Sequence, residues 1–185
     1  ESVAKDQRGD TDTRQATAGS RTRRYVTLAV AGVLVFVFLV LLATHTGFLP
    51  VSPGEYDQRT LGVTDCSGTE QGTLTVDVAD SFSQRYVGLS RTDSLGADEG
   101  MLFAYGSEDT RDIGMRNMDF GLDVLYIGSN GTVRTVETLD APGGPVEYYL
   151  TYDSTAGTGQ YILEVPAGWS TEHGVSRGDC VTGLP

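Results

Sequence analysis

Lysine is nearly missing from this 185-residue chain: Lys5 stands alone beside twelve arginines and 25 Asp and Glu, for a net charge of −12. No basic stripe exists to meet phosphates, which excludes a nucleic-acid partner. Residues 45–185 are more lopsided still, with 21 Asp and Glu, 7 Arg and no Lys. Such a surface is expected where salt is very high, because screening over about 3 Å at 1 M removes the mutual repulsion of carboxylates. Its acidity therefore points to a halophilic setting rather than to a cationic partner. Cysteine and histidine are scarce as well: Cys66, Cys180, His45 and His173 are the whole set. They make no four-ligand zinc site. Neither histidine lies near a Ser or Cys in a recognisable nucleophilic arrangement. Gly143 and Gly144, between Pro142 and Pro145, are expected to precede no helix and so to cradle no phosphate. No cofactor is implied.

Charge is also absent from Val26 to Ala43, 18 residues that read VTLAVAGVLVFVFLVLLA. As a helix this run is about 27 Å long, enough to span a bilayer core and longer than the apolar part of a signal peptide. Residues 25–44 are expected to be a transmembrane helix of signal-anchor type, with cleavage near Ala43 as the alternative. Arg21, Arg23 and Arg24 precede the run, and the next basic residue after it is Arg59. The positive flank stays in the cytoplasm. Residues 1–24 then form a disordered cytoplasmic tail, 45–60 a Gly- and Pro-broken linker, and 61–185 an extracytoplasmic domain. In that oxidising setting Cys66 and Cys180 are expected to pair, closing a loop of about 115 residues worth roughly 4–5 kcal/mol. Asn130-Gly131-Thr132 is a glycosylation sequon there.

The outer region is rich in strand signals. Leu74, Val76 and Val78 alternate with Thr75 and Asp77, a half-buried strand. Residues 101–105, 122–127, 132–138, 147–151, 160–165 and 179–182 add more, and Asn130-Gly131 should turn a hairpin between two of them. One helix is expected over about 81–90, with Ser81 and Gln84 as a capping box and Phe82, Tyr86 and Leu89 as its apolar stripe. The fold class is mainly β: a compact antiparallel sandwich or barrel with one short helix, behind a single transmembrane helix.

Polar residues interrupt the apolar runs. Asp123 shares a strand face with Leu125 and Ile127, and Glu164 shares one with Ile162. A buried carboxylate either neutralises or finds a cation. Arg85 and Arg116 are the available cations, so two acids and two arginines are expected to converge. A pocket would place Arg85, Arg116, Asn117, Asp123 and Glu164 around a small polar or anionic ligand, with Met101 and Met115 as apolar wall. A non-catalytic module binding such a ligand, or a cell-envelope protein, is the leading reading. Two others stay open: an enzyme using Asp123 or Glu164 as general acid or base, and a structural component whose arginines staple helix to sheet.

The order of these blocks resembles the domain of unknown function 192 family. Arg85-Tyr86-Val87-Gly88-Leu89, Asp98-Glu99-Gly100-Met101-Leu102-Phe103, Met115-Arg116-Asn117 with Leu122-Asp123, Leu163-Glu164-Val165-Pro166-Ala167-Gly168-Trp169 and Gly174…Gly178-Asp179 fall in the family's sequence over roughly 110 residues. The resemblance implies a small, mostly β domain, often exported or membrane-anchored, with no established activity and with its polar residues clustered in a groove. It also marks departures: Gly114 stands where the family has Trp, Met118 where it has Thr, and Gly121 where it has Pro.

Overall fold

The structure is a computed structural model that describes residues 9–48 and 51–185. Helix α1, Gly9–His45, contains a segment from Arg23 to His45 that is long and apolar enough to cross a membrane, its most apolar 18 residues having a mean hydropathy of 3.0. Residues 9–24, expected as a disordered tail, are helical; residues 1–8 lie outside the described residues. Once the apolar run supplies a helical nucleus, each further residue adds a hydrogen bond at little cost, so the helix propagates toward the N-terminus.

The chain from His45 onward is a separate unit. Its seven strands are β1 (Asp57–Thr64), β2 (Glu70–Ala79), β3 (Glu99–Gly114), β4 (Leu122–Ile127), β5 (Val133–Leu139), β6 (Ser154–Pro166) and β7 (Cys180–Thr182). They form one sheet in the order β5-β4-β6-β3-β2-β1-β7. A two-sheet sandwich is excluded. The sheet's ends also meet: Val133 N–H donates to Asp179 O (2.8 Å), and Val181 N–H to Gly131 O (2.8 Å). The Cys66–Cys180 disulfide, Cα atoms 5.0 Å apart, ties the β1–β2 turn to β7 beside that seam. Folded structure begins at Asp57, earlier than the expected residue 61.

Four expectations are corrected. The sheet is not wholly antiparallel, since β2 and β3 run parallel, Thr75 beside Glu99 through Ala79 beside Phe103. Their crossover carries α2, Phe82–Val87. Among the described residues there are three short helices rather than one: α2, α3 (Pro145–Tyr149) and α4 (Trp169–Glu172). The third correction lies at α3 itself, expected as a strand over 147–151; Pro145 occupies the first turn, where its missing N–H costs nothing and its fixed φ favours helix. The expected stripe of α2 also rotates, for Phe82 is exposed whereas Gln84 and Val87 are buried.

Two apolar cores lie on the two faces of the sheet. One gathers Leu74, Val76, Leu102, Leu125, Leu163 and Trp169. The other gathers Met101, Phe103, Met115, Leu122, Val124 and Tyr126. Above this second face the long β3–β6 ribbon folds close over Tyr126. A Cβ on Gly157 would sit 2.5 Å from the Tyr126 ring, so only glycine admits the approach.

Candidate functional site

Register decides where the two acids go. On β4 and β6, Asp123 pairs with Val165, and Val124 pairs with Glu164. The acids therefore stand one rung apart, and because strand side chains alternate, they emerge on opposite faces. Asp123 belongs to the face of Leu125, Val165 and Trp169; Glu164 belongs to that of Val124, Met101 and Ile162. The expected convergence of two acids and two arginines does not occur.

Asp123 is buried without a guanidinium partner among the described residues. Its Oδ1 accepts from the Thr138 hydroxyl (2.7 Å), and its Oδ2 accepts from the backbone N–H of Ser170 (2.8 Å) in the first turn of α4. These two hydrogen bonds stand where the ion pair was expected and dock α4 on the sheet.

Glu164 lies in the wall of an open cavity of 450 Å³ on the other face. It is flanked by Met101 on β3 and Val124 on β4, both buried, and is itself only 4% exposed. No described residue lies within hydrogen-bond or ion-pair distance of its carboxyl. Burial among apolar neighbours pushes its pKa up to about 8, so it stands as a neutral acid at pH 7. A neutral carboxyl is a hydrogen-bond donor as well as an acceptor.

Arg85 and Arg116 both line the same cavity. Arg85 projects from α2 and donates through Nη1 to the carbonyls of Asp80 and Ala104 (2.9 Å to the latter), fastening the helix to β3. Its Nη2 and Nε make no hydrogen bond to a described residue, and its guanidinium lies 4.8 Å from the centre of the Tyr105 ring. Arg111 lies 4.1 Å from the same ring, so Tyr105 is held between two cations. Arg116 donates to Tyr86 O (2.6 Å) with its guanidinium 4.4 Å from the Tyr86 ring.

The remaining expected site residues fall outside the cavity. Met101 and Met115 are buried in the second core, and the apolar wall is built instead by Phe103, Met118 and Leu122. Asn117 sits at φ 56° in a turn, a conformation asparagine tolerates better than most residues, and its Nδ2 donates to Thr46 O (3.1 Å). Asn130 is exposed at the tip of the β4–β5 hairpin, where its Oδ1 accepts from Thr132 N–H (3.2 Å). Gly144 does precede a helix, α3, but the Gly143 N–H is already taken by Glu147 Oε2 (2.6 Å).

Sequence reasoning missed the aromatic lining. Tyr86, Tyr105 and Tyr152 all face the cavity. Tyr105 ends the MLFAY run, but nothing local marks it as the filling between Arg85 and Arg111. Tyr152 follows the segment misread as a strand. Its ring rests on Gly114, where a Cβ would lie 2.8 Å from Tyr152 Cε2, so an aromatic group from elsewhere in the chain occupies the space a side chain at 114 would need.

Comparison with other proteins agrees with this architecture. No curated protein matches the chain. Among solved structures, a protein of Sinorhizobium meliloti 1021 described as a proposed transcription regulator is 31% identical, with a TM-score of 0.62 over 71% of this chain and 98% of its own. A protein of unknown function from Novosphingobium aromaticivorans DSM 12444 is 27% identical, with a TM-score of 0.55 over 75% of this chain and 95% of its own. Residues 63–183 match the family described as an uncharacterized ACR, and with these blocks in place along one sheet the chain belongs to the domain of unknown function 192 family.

Proposed function

We propose that this protein is a membrane-anchored, extracytoplasmic module that binds a small, acceptor-rich anion, such as a carboxylate or phosphate, in the Glu164 cavity. The carrying observation is the buried Glu164 carboxyl in the cavity wall, without a partner among the described residues. A buried polar group left unmatched costs stability and is normally satisfied, so one facing an open cavity marks a place for a ligand. The protonated carboxyl and the Arg85 Nη2 and Nε groups would supply donors, while Tyr105, Phe103 and Leu122 would pack against the ligand body. The anchored, outward placement rests on the Arg23–His45 segment, the arginines before it and the disulfide.

The reading is tested by titrating the full chain in detergent with monocarboxylates, inorganic phosphate and neutral sugars, following melting temperature. Anions should stabilise at pH 6, weaken as pH rises through 8, and have no effect on Arg85→Met. Stabilisation by sugars alone, or by nothing at millimolar concentration, defeats it.

A second reading is favoured by the same raised pKa. A carboxyl poised near neutrality suits general acid–base catalysis. Turnover of a bound compound that is lost in Glu164→Gln while binding persists would favour this enzyme over the binding module.

A further inference from the structure

Large apolar side chains are exposed at five described positions between His45 and the C-terminus: Phe48, Phe82, Val146, Tyr149 and Leu150. Four of the five belong to one cluster built from two distant stretches of chain. Phe48 stacks on Tyr149 with ring centres 5.9 Å apart. His45 Nε2 lies 3.0 Å from Leu150 O, and the His45 ring stacks on Tyr152 at 5.4 Å. Thr46 O accepts from Asn117 Nδ2 (3.1 Å), and Asn117 N–H donates to Tyr148 O (3.1 Å). Residues 45–48 are thereby strapped to α3 and the segment after it. Phe48 is nonetheless 72% exposed and Val146 62% exposed. Scattered exposed apolar residues need no explanation, but a gathered patch marks a surface with a partner.

We infer that this patch seats in the lipid–water interface of the membrane that α1 crosses, an inference that rests on the membrane-spanning reading above. The occupant follows from chain continuity. Segment Arg23–His45 is about 34 Å long, a little more than the roughly 30 Å hydrocarbon core, so its end reaches the head-group layer. The chain then turns at once, for Gly47 adopts φ 74° directly after the helix. Phe48 cannot travel far from that layer before it meets Tyr149. Aromatic residues with a polar handle favour this layer, and Tyr148 and Tyr149 supply two in a row. No Lys or Arg occurs in residues 135–176, and the cation nearest the strap is Arg116, packed against Gly47, so apolar and aromatic burial is the main contribution to the contact. Tyr152 belongs both to this strap, through His45, and to the cavity wall.

The experiment places a tryptophan reporter in the full chain reconstituted into phosphatidylcholine vesicles that carry a nitroxide near the head group. Val146→Trp and Tyr149→Trp are compared with Asp109→Trp, which lies five rungs up the β3–β6 ribbon from Gly114. Native Trp169 is buried and reports in every variant that the fold is intact. The nitroxide should quench the reporters at 146 and 149 at least two-fold more than the one at 109, and aqueous iodide should show the reverse order. Iodide quenching of 146 and 149 equal to that of 109, in a chain that resists carbonate extraction, overturns the docked patch and leaves the spanning helix standing. Extraction of the chain by carbonate overturns both.

Discussion

Asp123 and Glu164 differ by one rung of the β4–β6 ladder, and that single step gives two carboxylates opposite fates. Asp123 stays satisfied through Thr138 and Ser170. Asp123→Ala should cost about 2–4 kcal/mol by leaving a hydroxyl and an N–H unmatched, measured by urea unfolding, with the cavity's ligand response unchanged. Glu164 behaves in the reverse sense from an ordinary surface acid. Its folded pKa, about 8, lies well above the unfolded value near 4.5, so the folded state keeps a proton that the unfolded state releases. Its contribution is whole below pH 4.5 and is lost as pH rises to 8, up to about 4 kcal/mol. Glu164→Gln should therefore flatten the fall of stability between pH 5 and 8 and raise the melting temperature at pH 8. A parallel pH profile for the two proteins would contradict the neutral carboxyl. That these acids lie inside was legible, because each interrupts an apolar run. That they part company was not, because neither run reveals the register of its neighbour.

Secondary elements were legible where a local rule acts alone. The capping box of α2 is present, with Ser81 and Gln84 meeting reciprocally. Ser81→Ala should cost about 1 kcal/mol. That loss would also loosen Arg85, which leaves the same helix for the Ala104 carbonyl, so anion binding in the cavity should weaken alongside the denaturation midpoint. Strands β2 and β4 follow from alternation and from an apolar run that Asp123 alone interrupts. Residues 147–151 misled because Val, Tyr and Leu favour strands in general, while Pro145 at a helix start overrode them. The parallel β2–β3 pair was hidden for another reason: the helix expected over 81–90 fits a connection of either sense, and no local rule says that β3 returns beside β2. At Gly157 the close approach of ribbon and ring is tertiary, and Gly157→Ala should destabilise by about 1–3 kcal/mol through displacement of Tyr126.

For the whole molecule, long-range closure and charge act against each other. The disulfide spans 114 residues and sits at the seam where β7 meets the start of β5. By constraining the unfolded chain it contributes roughly 4–5 kcal/mol. Opposing it, 21 acids against 7 arginines in residues 45–185 crowd the compact state with repulsion that the expanded chain relaxes. Among the described residues, side-chain ion pairs that offset this charge are few; Arg134 to Glu108 at 3.4 Å is one. Screening therefore should matter more than pairing. Raising NaCl from 0.05 to 2 M shortens the screening length from over 10 Å to below about 3 Å, less than the spacing of neighbouring surface charges. The midpoint of urea unfolding should climb across that range. Sodium chloride and potassium chloride should act alike, since the effect is ionic strength rather than a bound cation. The climb should be steeper in the Cys66→Ser, Cys180→Ser double variant, where no covalent tie limits how far the unfolded chain expands to escape its own charge. An unfolding midpoint indifferent to salt would show that the acidic surface is neutral to stability and would remove the physical basis for reading it as a high-salt adaptation.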